Sequence, residues 1–274
     1  MTETEDLPKE DDVRMTLGEH LEELRGRLWK AIVAITLCFG VAIYFYKDLT
    51  TFICDPHFKA LQLIWQEEHP PEDAFDPSEW KLLSGSYTAP ISAVLKLAFI
   101  VSLFLSSPFV AFQIWKFISA GLRQAERGFA YIFGPSSFLL FVVGCAFGYF
   151  ILIPYTLYGL SRVLKIDVIS PMYTFSEYLS LVMTLTIIMG VIFQMPLLML
   201  FFSKIGLFTF RQYNQFRRYS IVGNFVLAAI LSPADVLSMI IMVIPLLVLY
   251  EVGVLLAFLA GKKESEDDSS PSPA

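Results

Sequence analysis

Residues 219–260 read YSIVGNFVLAAILSPADVLSMIIMVIPLLVLYEVGVLLAFLA. The run is apolar almost throughout, and it is too long for one membrane crossing, which takes about 20 residues within a range of roughly 17–25. Only Ser232-Pro233-Ala234-Asp235 interrupts it, with the residue types that favour a turn. The stretch therefore reads as a helical hairpin, Tyr219–Leu231 and Val236–Ala260, with its turn on the outer side. The first arm is short. At about 1.5 Å per residue it reaches only about 20 Å, against a hydrocarbon core near 30 Å, so local bilayer thinning is the expected response.

Four more apolar segments precede the hairpin: Leu28–Tyr46, Ile91–Phe112, Tyr131–Ile153 and Leu179–Phe202. The expected fold is an all-α membrane protein with six transmembrane helices, spans five and six being short. Residues 16–261 make the membrane domain, between an N-terminal tail (1–15) and a C-terminal tail (262–274). Both tails are acidic and lack an apolar period, so they read as solvated and disordered. The composition agrees: of 274 residues, 55% are hydrophobic and 17% charged, whereas soluble domains sit near 45–50% and about 25%. The mean hydropathy is +0.61 and the pI about 5.1, with no basic stripe for nucleic acid. Cys38, Cys54 and Cys145 are too few and too scattered for a disulfide scaffold or a metal site, and read as packing residues.

Lys and Arg placement sets the orientation. Lys9, Arg14, Arg25 and Arg27 precede span one, and Lys30 lies at its start. Lys116, Arg123 and Arg127 lie in the loop after span two, and Lys204, Arg211, Arg217 and Arg218 in the loop after span four. Lys262 and Lys263 follow span six. The opposite side has only Lys47, Lys59, Lys81, Arg162 and Lys165. Both termini are thus expected in the cytoplasm, and the chain opens without a cleavable signal peptide. The periplasmic loop, residues 47–90, begins with a surface helix over Lys47–Trp65 that is expected to break at Pro56.

Polar residues at or within a membrane need a reason. Thr16 with Glu19 forms a capping box that starts a helix at Leu17. Leu17, Leu21, Leu24 and Leu28 then make an apolar stripe. Glu23 can pair with Arg27 and Glu22 with Arg25; alternatively, the acids form a surface for a cationic partner. In the second loop, Trp115 and Lys116 read as interfacial anchors, and Glu126 stands among basic residues. Lys96 can snorkel from span two to the outer surface. Gln194 lies beside Pro196, whose missing N–H frees the carbonyl of Ile192, and is expected to satisfy it. Glu251 must be paired, protonated or wetted, and Asp235 suits a helix N-terminus. His20, His57 and His69 have no HExxH spacing, and neither a GxSxG elbow nor a phosphate-binding Gly-rich loop occurs. Nothing points to an enzyme, a metal or a cofactor.

The ordered set of motifs is similar to the TatC family, the multispan core of the twin-arginine protein translocase. His20-Leu21-Glu22-Glu23-Leu24-Arg25 resembles its N-terminal signature. Ser107-Pro108, Gln113-x-Trp115-x-Phe117 and Glu126-Arg127 resemble its first cytoplasmic loop. Ser232-Pro233-Ala234-Asp235 and Ile244-Pro245-Leu246 through Leu249-Tyr250-Glu251 resemble its last two spans.

The resemblance implies a receptor in the cytoplasmic membrane that binds twin-arginine signal peptides of folded cargo and works with single-span TatA and TatB subunits and other copies of itself. It also implies transport driven by the proton-motive force. Glu23 and Glu126 would contact the arginines, Arg25 and Phe117 would shape the site, and Lys96, Gln194, Asp235 and Glu251 would serve as intramembrane polar or partner-docking residues. Many family members carry Glu where this chain has Gln194, an amide that cannot titrate. The competing reading is an ion-coupled transporter or channel using Lys96, Gln194 and Glu251; it would call for matched broken helices, which the sequence lacks.

Overall fold

The computed structural model describes residues 17–68, 82–121, 128–163, 174–232 and 236–267, and their regular structure is helical apart from an isolated parallel bridge between Leu83 and Thr174. The helices are α1 (Leu17–Tyr44), α2 (Tyr46–Glu68), α3 (Ala89–Ala120), α4 (Phe129–Phe147), α5 (Ile153–Val163), α6 (Phe175–Ile192), α7 (Met195–Lys204), α8 (Phe210–Leu231) and α9 (Val236–Asp267). A π-helical turn, Gly148–Leu152, joins α4 to α5 without a break. The polar leader and the first apolar segment form a single helix, because no breaker stronger than Gly26 separates them.

Among the described residues, five stretches are long and apolar enough to cross a membrane: Gly18–Tyr44, Ala89–Ala120, Tyr131–Ser161, Phe175–Lys204 and Val236–Leu259. α8 falls outside this group, since Arg211, Arg217 and Arg218 dilute its first half. The sixth expected span is not short. α9 runs through Pro245 for 32 residues, because the ring removes one backbone bond but the flanking apolar turns keep their packing.

α8 and α9 lie antiparallel. The Tyr250 hydroxyl donates to the Tyr213 carbonyl at 2.7 Å, and the Asn224 amide donates to the Leu246 carbonyl at 3.5 Å. The same logic sorts the rest of the bundle into two ends. At one, His20 of α1 meets Phe117 of α3, Trp115 meets Phe133 and Phe201, and Met199 meets Tyr250. At the other, Leu49 and Ile53 of α2 pack beside Ala93 and Leu97, while Tyr149 and Tyr178 reach α2. The first end carries Arg25, Arg27, Lys30, Lys116, Lys204, Arg211, Arg217 and Arg218.

Close helix approach holds the centre. A Cβ at Gly144 would lie 2.6 Å from the Met189 carbonyl oxygen, and one at Gly190 would lie 2.7 Å from Cys145 Sγ. α4 and α6 therefore cross with almost no side chain between their backbones, the usual solution where lipid supplies no hydrophobic drive for helix pairing. Around this crossing Leu152, Ile153, Val182, Met189, Met242 and Leu246 are fully buried.

α2 corrects one expectation. It does not break at Pro56, which is fully buried within the helix. Proline cannot donate to the carbonyl four residues back, here that of Phe52. The Tyr149 hydroxyl donates to that oxygen instead, and the Tyr178 hydroxyl donates to the Ile53 carbonyl at 2.5 Å. Phe52 also stacks on Tyr149, ring centroids 4.8 Å apart. Two tyrosines from the bundle thus supply what proline withholds, and the same bonds fasten α2 across the bundle end.

Candidate functional site

The leader half of α1 packs with its polar face inward. His20 stacks on Phe117 at the end of α3, centroids 4.4 Å apart and planes 22° apart. Glu23 and Arg27 follow on the same face, at the three- and seven-residue offsets that align along a helix. The leucine stripe points the other way: Leu21, Leu24 and Leu28 are 65%, 41% and 57% exposed. In water that arrangement would be inverted; beside lipid the apolar face belongs outside.

Arg27 Nη2 donates to Glu23 Oε1, an ion pair in the favourable order with the acid toward the N-terminus. The side chains are 13% and 21% exposed. Glu23 Oε2 and Arg27 Nε are buried without a hydrogen-bond partner among the described residues. A polar atom in that state costs about 1–3 kcal/mol. The pair is half satisfied: one carboxylate oxygen and the guanidinium Nε–H lack a partner among the described residues, and a ligand reaches them only by displacing what covers them. Neither of the sequence alternatives, a solvated pair or a free acidic surface, describes it fully.

Arg25 does not join this group. Its guanidinium is 72% exposed and lies 4.0 Å from Glu22 Oε1, itself 77% exposed, so the contact is a weak surface pair. The structure thus brings Glu23 and the His20–Phe117 stack to one face and leaves Arg25 on another. Glu126 and Asp235 lie outside the described residues. His20 is the member that sequence reasoning missed. Its signal was available, since residues 20, 23 and 27 share one helical face opposite the leucines.

Trp115 is no interfacial anchor. It is 5% exposed and packs with Phe133 and Leu197, an aromatic cluster that α3, α4 and α7 build together; Lys116 stays exposed. Gln194 does not serve the Ile192 carbonyl either. It sits in the turn between α6 and α7, where its Nε2 donates to the Ser137 carbonyl at 2.9 Å and its Oε1 accepts from the Ser137 hydroxyl at 2.7 Å. This reciprocal pair ties the turn to α4. Lys96 is exposed on the second turn of α3. Glu251 is paired: Arg217 Nε donates to Oε1 at 2.6 Å and Nη2 to Oε2, the two-pronged geometry that guanidinium and carboxylate share.

A concavity of about 720 Å³ opens between α2, α3, α4 and α6. Its walls are apolar apart from a few groups, among them Ser107, Ser137, Thr186 and Gln194. No cluster of His, Cys, Asp and Glu suited to a metal ion occurs among the described residues.

Residues 19–245 match the family described as Sec-independent protein translocase protein (TatC). The Sec-independent protein translocase protein TatC of Koribacter versatilis (strain Ellin345) is 36% identical over 253 residues, covering 91% of this chain and 87% of its own. That of Aquifex aeolicus (strain VF5) is 34% identical over 257 residues, covering 92% and 98%. A crystal structure of the twin-arginine translocase receptor TatC superposes with a TM-score of 0.70 at 33% identity, covering 89% of this chain and 100% of the other. These matches do not favour a solute transporter or channel. The chain belongs to the TatC family of Sec-independent protein translocase proteins.

Proposed function

We propose that this protein is the signal-peptide receptor of a twin-arginine translocase in the cytoplasmic membrane, acting with TatA- and TatB-type single-span subunits and further copies of itself. The observation that carries the reading is the buried Oε2 of Glu23, without a partner among the described residues and held beside the His20–Phe117 stack where α1 leans on α3. A guanidinium is planar and weakly hydrated, so it can enter a half-buried carboxylate edge that an ammonium reaches only by shedding tightly held water. Glu126, nine residues beyond Phe117 in the sequence, supplies the second carboxylate for the second arginine. Charge-assisted bonds of this kind contribute roughly 1.5–3 kcal/mol each. The apolar part of the peptide then lies in the concavity between α2, α3, α4 and α6.

This reading places α8 across the membrane as the fifth of six spans, with both termini cytoplasmic and residues 16–261 as the membrane domain. The antiparallel pairing of α8 with α9 supports the crossing by α8, and the basic residues gathered at the α1 end support the orientation. The exposed outer faces of α8 and α9, Val222, Val226 and Ile230 with Ile244 and Val248, are docking surfaces for the partners' transmembrane helices. A twin-arginine peptide carrying a photoreactive residue beside the arginines tests the reading. It should crosslink to the segment 17–28 and to residues 117–127, and an unlabelled twin-arginine peptide should suppress the product where its twin-lysine counterpart does not. Crosslinks confined to the α8–α9 faces would contradict it.

A further inference from the structure

We propose that Arg27 is a specificity-determining residue of this site: a resident guanidinium that occupies one oxygen of Glu23 and admits only a second guanidinium to the other. The inference rests on the receptor reading above. Three observations carry it. Arg27 bonds Oε1 alone, through Nη2. Glu23 Oε2 and Arg27 Nε are both buried with no partner among the described residues. Both side chains are largely withdrawn from solvent, at 13% and 21% exposure, so little water screens what happens between them.

The consequence is a filter. With Arg27 in place, the carboxylate is already neutralised, and its remaining oxygen no longer attracts every cation. An incoming lysine brings a compact, strongly hydrated charge against a fixed positive neighbour and finds one acceptor. An incoming arginine spreads its charge over a plane, tolerates a flat approach to another guanidinium, and can direct one N–H at the oxygen while its other N–H groups remain for neighbouring acceptors. The free Nε–H of Arg27 adds a donor for a peptide carbonyl beside the arginine pair. Arg27 thus lowers the attraction for cations in general while leaving a path for arginine.

The test is equilibrium binding of a twin-arginine peptide and its twin-lysine counterpart to the full chain in nanodiscs, for the natural sequence, Arg27→Lys and Arg27→Gln. The natural protein should prefer arginine. Arg27→Gln should bind the twin-lysine peptide more tightly, so that the preference falls about tenfold, with Arg27→Lys intermediate. An unchanged preference in Arg27→Gln overturns the role of Arg27 while leaving the receptor reading intact. No preference in the natural protein overturns both. If Arg27→Gln does not fold, by thermal unfolding of the purified protein, Arg27→Lys decides: it retains the charge and the helical ion pair, and an undiminished preference in it refutes the filter.

Discussion

Single residues settle how this chain meets the membrane. Tyr149 and Tyr178 each place a hydroxyl on a carbonyl that Pro56 leaves open or exposes. Removing the Tyr149 hydroxyl leaves the Phe52 carbonyl, which Pro56 cannot serve, without a donor, and Tyr149→Phe should lower stability in detergent by about 1–2 kcal/mol, read by thermal unfolding. An unchanged midpoint would mean that water already serves that oxygen. Neither tyrosine could be matched to Pro56 by reading along the chain, since they lie 97 and 125 residues from the carbonyls they cap; local proline chemistry gave the break, and distant partners repaired it. Cys54, on the same helix, makes a second prediction. Burial pushes its thiol up from 9.0 to about 11. The thiolate is the reactive form, so in a Cys38→Ala, Cys145→Ala background maleimide labelling of Cys54 should be slow at pH 8 and rise steadily toward pH 11. A rate that levels off near pH 9 would contradict the shift.

At the scale of elements, the bundle depends on where helices touch rather than on how apolar they are. The α4–α6 crossing admits no side chain at Gly144, where a Cβ would stand 2.6 Å from a backbone oxygen. Gly144→Ala should therefore push the helices apart and cost about 1–3 kcal/mol, whereas Gly223→Ala, with nothing within 4 Å of its added carbon, should be nearly neutral; equal effects in unfolding assays would refute the close crossing. Apolar segments and the Ser232–Asp235 interruption were legible because they are properties of contiguous sequence. Partners were not. Trp115 reads as an anchor from its place at the end of an apolar segment, and only Phe133 and Phe201, from other helices, make it core. The leucines of α1 were legible as a stripe, but their direction depends on the solvent, and lipid reverses the rule that holds in water. Sequence proximity pairs Gln194 with the carbonyl of Ile192, yet its bonds go to Ser137, 57 residues away.

The whole molecule is a bundle whose basic end holds a carboxylate with one oxygen paired and the other buried, and whose side holds an apolar concavity; the proposed orientation turns that end toward the cytoplasm. The orientation has a direct check: in a cysteine-free background, Leu207→Cys in the α7–α8 turn should be labelled from the cytoplasmic face and Ser86→Cys from the opposite one. Labelling of both from one face would reverse the placement of α3 or α7 and with it the site. Glu23 and its pairing with Arg27 are legible in the sequence from their four-residue spacing, and the structure adds what a sequence cannot contain, namely that packing of α1 on α3 withdraws the second carboxylate oxygen from water. The central claim is recognition of paired arginines. Its most direct test is the affinity of the full chain in nanodiscs for a twin-arginine peptide against its twin-lysine counterpart, repeated with Glu23→Gln and Glu126→Ala. The account predicts arginine preferred by about tenfold or more, with the preference lost in either variant; equal affinity of the two peptides for the unaltered protein would contradict it.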